Sequence, residues 1–227
     1  METKNELSTV NSYKEQVQIL KAEQKKTAPD EILSVFIEEQ HDMIQSEIGK
    51  NALRPGSVAP LFILPNAAGK LISLKDALAK GNVVLTFYRG TWCPFCNLQL
   101  RMYQEILPEI KALGASLIAV SPMTPDNSLT FKEKHSLEFE VLSDHGNVTS
   151  SKYGIVYTVL KKAIDVTLKM GVNTPSVFND TDKWELPLPA TFILDKEGVI
   201  IARFLDKDYT KRMEPKEILN ILEQIKK

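Results

Sequence analysis

The chain has 227 residues, 43% of them hydrophobic and 25% charged, the proportions of a soluble globular protein. At that length one large domain with an appended arm is expected. Lys and Arg total 28 against 29 for Asp and Glu, so the net charge of −1 gives no general attraction to nucleic acid. No run approaches the roughly 18 apolar residues of a membrane span. The opening METKNELSTVNSYKEQ lacks the apolar core of a secretory signal. A cytoplasmic protein with neither nucleic acid nor membrane among its partners is expected.

Residues 4–50 have helical spacing. Leu7, Val10, Tyr13, Val17 and Leu20 form one apolar series, and Ile32, Leu33, Phe36, Ile37, Met43, Ile44 and Ile48 extend another. Pro29, followed by Asp30 and Glu31, stands where a second helix can start. This predicts a helical arm over 1–52. It can pack on the remaining chain, 53–227, or on a second subunit, which leaves a homodimer open.

From Pro55 the pattern changes. Turn residues bracket Leu61–Leu64, a short helix is expected over 74–80, and Asn82–Tyr88 (NVVLTFY) has the continuous apolar character of a fully buried strand. Leu98–Leu113 has helical spacing with Pro108 as a kink. A second buried strand (115–120), a helix (128–135) and a short strand (139–142) follow. Residues 154–175 are predicted helical and 174–186 a loop, together a helical insert at about 155–186. Two strands, 191–194 and 199–204, flank the turn Lys196-Glu197-Gly198, and Pro215 can start a closing helix to 226. Buried strands alternating with helices predict an α/β fold, a mixed sheet flanked by helices.

The only cysteines are Cys93 and Cys96, in Trp92-Cys93-Pro94-Phe95-Cys96. A pair this close encloses almost no loop, so it cannot be a useful staple, and redox or metal chemistry is the alternative. Zinc needs about four ligands, and His41, His135 and His145 are not paired at ligand spacing. Because the pair follows a buried strand and enters a helix, with Pro94 in the first turn, the helix N-terminus favours thiolate over thiol. Helix geometry puts Cys93 at the exposed end and Cys96 one turn deeper. Trp92 is either a lid over the pair or a core residue. Thr91 either hydrogen-bonds a thiolate or caps the helix. Tyr209, Lys211 and Arg212 have the pattern of a solvated charge run, with a partner surface as the alternative.

Trp92–Cys96 after a buried strand resembles the active site of thioredoxin-fold proteins. The segment Leu188-Pro189-Ala190-Thr191-Phe192 resembles the place of that fold's cis-proline, which implies a cis bond before Pro189. Gly56-Ser57-Val58-Ala59-Pro60-Leu61-Phe62 is similar to the entry motif of the alkyl hydroperoxide reductase/thiol-specific antioxidant (AhpC/TSA) family. Ala119–Pro122, Phe131–His135, Phe139–Asp144, Lys152–Gly154 and Thr191–Asp195 resemble its bacterioferritin-comigratory (Q-type) peroxiredoxins in order and spacing. The arm, the Arg89–Trp92 entry and the insert resemble an atypical, peroxiredoxin-like branch with Cys-x-x-Cys in the site.

The resemblance implies a thioredoxin-like fold and a thiol peroxidase acting on hydrogen peroxide or alkyl hydroperoxides. A thioredoxin or glutathione-type reductant would regenerate it, without a bound cofactor. It also exposes departures. Aligning Cys96 with the family's reactive cysteine puts Cys93 on its threonine and Arg89 on its proline. The family's activating arginine falls near Pro189, which leaves Arg89, or less directly Arg203, to replace it. Thioredoxin logic makes Cys93 the attacking sulfur, and the peroxiredoxin alignment makes it Cys96. Two other functions stay open, a thiol–disulfide oxidoreductase and a redox sensor without turnover.

Overall fold

The structure, a computed structural model, describes residues 12–226, so Leu7 and Val10 of the first apolar series lie outside the described residues. Two helices open it, α1 (Tyr13–Thr27) and α2 (Asp30–Gln45), with Pro29 at the cap of the second. A small antiparallel pair, β1 (Ile63–Pro65) and β2 (Leu71–Ser73), leads into α3 (Leu74–Leu78). Then come β3 (Asn82–Phe87), α4 (Pro94–Glu105), α5 (Leu107–Ala112), β4 (Ala115–Ser121), α6 (Pro125–Lys134), β5 (Glu140–Ser143) and α7 (Val148–Lys152). The chain continues through β6 (Val156–Thr158), α8 (Lys161–Lys169), β7 (Glu185–Pro187), β8 (Ala190–Leu194), β9 (Ile200–Leu205) and α9 (Pro215–Ile225).

The central sheet has the order β5-β4-β3-β8-β9. β3, β4 and β5 run parallel, whereas β8 and β9 are antiparallel to their neighbours. This is the mixed, helix-flanked sheet that the alternation of buried strands predicts. β3 is central because Val83–Phe87 are all buried, which allows helices to cover both its faces. Phe87, Phe192 and Tyr153 lock the core beneath its end, with ring centroids 4.9 to 6.0 Å apart.

The segment after α7 departs from expectation. Only Lys161–Lys169 of the predicted 154–175 helix is α-helical. Val156-Tyr157-Thr158 instead pairs antiparallel with β7, because β-branched residues around the buried ring of Tyr157 suit a pleated strand. The predicted loop 174–186 holds a single π-turn, Pro175–Asn179, and the start of β7. The cis bond implied before Pro189 is also absent. Every peptide bond among the described residues is trans, and the chain passes directly from β7 into β8.

The opening helices pack on their own chain. The Glu214 carboxylate, just before α9, accepts from the backbone N–H groups of Tyr13 (2.7 Å) and Lys14 (3.0 Å), so the start of α1 is satisfied by a residue 200 positions away. The Tyr13 hydroxyl donates to the carbonyls of Phe95 and Thr210. Arg203 donates to the carbonyls of Ala52 and Leu53, which makes it a clamp on the end of the arm and not a member of the cysteine site.

Gly154 lies against the same seam. Its φ is +70°, and a Cβ there would come within 2.3 Å of the Asn51 carbonyl oxygen. Gly154→Ala is expected to destabilise the protein by about 2 kcal/mol or more, through left-handed strain plus a backbone clash. Urea unfolding followed by circular dichroism measures this, and an unchanged midpoint would refute it.

Candidate active site

β3 delivers the chain to the site. After Phe87, residues 88–92 turn back, Cys93 takes the cap position of α4, and Pro94 occupies the first turn, where its missing N–H costs nothing. Cys96 then falls one turn inside the helix, with its N–H bonded to the Cys93 carbonyl at 3.0 Å. Both cysteines are reduced and buried, Cys93 with 2% and Cys96 with 0% of its surface exposed. The difference in depth has the expected sense, since Cys93 lines a cavity and Cys96 lies behind it. Neither sulfur projects into open solvent.

Three donors converge on the Cys96 sulfur. Arg212 donates to it through Nη2 at 3.3 Å, and the Arg89 backbone N–H and the Cys93 thiol lie close enough to favour its ionised form. Burial alone raises the Cys96 thiol pKa. The Cys93 hydrogen bond, the Arg212 charge and the Arg89 amide outweigh burial and bring it down to about 5. Cys93 moves the other way: donating its proton to Cys96, and then burial, push its pKa well above the ordinary thiol value. The surroundings of the pair therefore favour the thiolate on Cys96 over one on Cys93.

Arg212 is itself held rigidly. It is 4% exposed, donates through Nε to Gln99 Oε1 at 2.6 Å, and donates through Nη1 to the carbonyls of Tyr209 and Lys211. Gln99 in turn donates to the Thr86 hydroxyl on β3 (3.0 Å) and to that of Thr191 on β8 (3.4 Å). The Tyr103 hydroxyl joins Thr191 to the Met213 carbonyl. A buried polar network thus runs from the sheet through α4 to the guanidinium.

A second buried arginine stands nearer the cavity. Arg89 lies between two rings, 4.2 Å from the centroid of Tyr209 and 5.0 Å from that of Trp92, a desolvated cation–π sandwich. The fold-back of Trp92 depends on Gly90, whose φ is +152° and whose added Cβ would lie 2.3 Å from Trp92 Nε1. The cavity, about 930 Å³, is floored by Arg89, Trp92, Cys93 and Tyr209 and walled by α2, α8 and the segment before β7.

With fold and site described, the chain can be compared with known proteins. A model of the AhpC/TSA family matches residues 55–203. The chain belongs to that family. A putative peroxiredoxin bcp of Buchnera aphidicola is 39% identical over 103 residues, 45% of this chain and 65% of that protein, just under two thirds of its length. The thiol-disulfide oxidoreductase ResA of Bacillus thuringiensis is 26% identical over 166 residues, covering 73% of this chain and 78% of that one. In fold, the chain is similar to peroxidoxin BcpB of Mycobacterium tuberculosis, with a TM-score of 0.61, 19% identity and coverage of 76% of this chain and 98% of that one. Peroxiredoxin Q of Xanthomonas campestris gives a TM-score of 0.57 at 19% identity, covering 76% and 99%. At 19% identity the likeness to these two solved structures is one of fold, the thioredoxin fold.

The structure gathers Arg89, Trp92, Cys93, Pro94 and Cys96 in one place and leaves others at its edge. Thr91 contributes its backbone and not its hydroxyl: its N–H points to the Met123 sulfur and its carbonyl accepts from Asn97. Pro189 is buried beside the end of β3, through the Phe87–Ala190 register, and the recorded cavity wall does not include it. The expectation of a solvated run at Tyr209, Lys211 and Arg212 holds only for Lys211, which pairs with Asp206 at the surface. Tyr209 and Arg212 are buried in the site. The one local hint was the apolar neighbour Met213, itself buried. Gln99, on the largely buried α4, and Glu39, on the largely solvated α2, carried no signal, because a polar residue on a helix does not show locally what it will face.

The Cys96 thiolate gives a direct titration. In the reduced protein, thiolate absorbance at 240 nm is expected to titrate with a midpoint near 5. Arg212→Met is expected to move it up by at least about one pH unit, because the charge that favours the ionised sulfur is gone. An unshifted midpoint in the variant would show that Arg212 does not set the sulfur's charge.

Proposed function

We propose that the protein is a thiol-dependent peroxidase in which Cys96 attacks the peroxide and Cys93 resolves the product. The observation carrying this reading is the convergence of Arg212, the Arg89 amide and the Cys93 thiol on one buried sulfur. In the first step the Cys96 thiolate takes the terminal oxygen of R–O–O–H, forming the sulfenic acid Cys96–S–OH and releasing R–O⁻, which is then protonated. In the second, Cys93–SH condenses with Cys96–S–OH to the disulfide and water. An external reductant, one dithiol of thioredoxin type or two thiols of glutathione type, then restores thiol and thiolate by exchange. Hydrogen peroxide and alkyl hydroperoxides are the substrates that fit this cycle. Membership of the AhpC/TSA family and similarity to bcp proteins support the reading. Within the site, Arg89 and Arg212 stand in for the family's activating arginine.

The similarity to ResA, together with the Cys-x-x-Cys spacing, supports a second reading, exchange with disulfides. The geometry favours it less. The thiolate is on the sulfur that a bulky disulfide cannot reach, and the sulfur at the cavity, Cys93, is held protonated.

Stopped-flow mixing with hydrogen peroxide, reading tryptophan fluorescence, tests the assignment. The wild type is expected to react at or above about 10⁴ M⁻¹ s⁻¹. Cys93→Ser should keep the fast step but stop after one equivalent, as a sulfenic acid trapped by dimedone. Cys96→Ser should fall to the rate of a free thiol. Fast reaction surviving in Cys96→Ser alone would reverse the roles. No fast phase in any form, with rapid reduction of insulin disulfides, would establish the second reading instead.

A further inference from the structure

The cavity above Cys93 is far larger than hydrogen peroxide requires. About 930 Å³ lies within the range of sites that enclose drug-sized organic molecules. Its walls are mainly apolar. Leu33 and Phe36 of α2 face Ala163 of α8 and Leu186 of β7 across it. The apolar stripe of α2 is thus spent on lining a cavity as much as on filling the core: of its side chains only Glu39 and Met43 are buried.

Glu39 is the buried charge in that wall. It is fully buried, and neither carboxyl oxygen has a hydrogen-bond partner. It belongs to the lining of the cavity that reaches Arg89 and Cys93, and its charge interacts with Arg89. No ion pair within 4 Å joins the two among the described residues, and Arg89 Nε is likewise buried and unpartnered. Besides Arg89, from the loop after β3, the groups facing Glu39 are Tyr157 on β6, Tyr209 before α9, Lys162 on α8 and the Leu160 backbone at that helix's start. The mainly apolar chamber, which Cys93 also lines, therefore carries one buried acid and one buried cation with unpartnered polar atoms. The ligand that matches has a small polar head, able to accept from Arg89 and exchange a proton with Glu39, and a bulky apolar body.

We propose that α2 completes the active site, closing it around hydroperoxides that carry a large apolar group and supplying Glu39 as the acid that protonates the departing alkoxide. This rests on the peroxidase reading above. The step balances as R–O–O–H plus Cys96–S⁻ plus Glu39–COOH giving Cys96–S–OH, R–OH and Glu39–COO⁻. The proton released when an external dithiol reduces the Cys93–Cys96 disulfide, leaving Cys96 as thiolate, returns to Glu39. Arg89 faces the oxygen on which charge develops. Burial raises the Glu39 pKa and so favours the protonated form that the step needs, with Arg89 opposing in part.

The test uses the reduced full chain, mixed in stopped flow with hydrogen peroxide and with cumene hydroperoxide as the bulky probe. The wild type is expected to react at least tenfold faster with cumene hydroperoxide. Leu33→Trp and Ala163→Phe, which fill the chamber from different walls, should each narrow that ratio at least tenfold, so a folding defect in one does not decide the matter. Glu39→Gln should slow the cumene reaction at least tenfold. It should also abolish the alkaline decline that the wild-type rate shows as Glu39 loses its proton. A rapid reaction with hydrogen peroxide and no preference for the bulky probe would overturn the inference and leave the proposed function intact. A Glu39→Gln rate and pH profile equal to wild type would overturn the role of Glu39. No rapid reaction with either peroxide would remove the peroxidase reading itself.

Discussion

A guanidinium and a thiolate, both withdrawn from water, are the pair on which the site depends. An unpaired charge of either kind in the interior would cost several kcal/mol, and a thiol there stays protonated. Arg212 and Cys96 offset that cost for each other, but only while the arginine is held in place. Gln99, the carbonyls of Tyr209 and Lys211, and through Gln99 the hydroxyls of Thr86 and Thr191 provide the hold. Breaking the network anywhere leaves a buried cation short of acceptors. The reactivity of one sulfur is therefore a property of β3, β8, α4 and the segment before α9 together.

The same economy explains the opening helices. Glu214 caps α1 from the far end of the chain, and the Tyr13 hydroxyl bonds both the first turn of α4 and the Thr210 carbonyl, two residues from Arg212. α2 then walls the cavity that Cys93 lines. Although the family match begins at residue 55, the earlier helices are part of the surroundings of the site and not an independent attachment.

Much of the fold was legible because local chemistry decided it. Asn82–Phe87 reads as a buried strand because it is short, dominantly apolar and rich in β-branched residues. Pro94 could only stand in a first helical turn, so the cysteines had to lie at a helix entrance. Expectation failed where two weak local tendencies competed. Val156–Thr158 was read into a helix because its neighbours are helical, yet pairing with Glu185–Pro187 buries Tyr157. Pro189 was expected to be cis from its place in the thioredoxin pattern, whereas here a trans bond carries β7 straight into β8. Arg212 reads as solvated because, apart from the apolar neighbour Met213, nothing near it in the chain marks a buried arginine.

The residue order alone singled out Cys93 and Cys96 as the candidates for chemistry, placed them at a helix start after a buried strand, and gave the fold as α/β. Those are consequences of spacing and local propensity, which the chain carries within a few residues of each position. Which sulfur holds the charge, which arginine stabilises it, and that a carboxyl from α2 enters the cavity were decided only by tertiary structure. Each depends on groups brought together across 50 to 120 positions, and an ionisation equilibrium responds to distance in space, through burial and Coulomb's law, with no regard for distance along the chain.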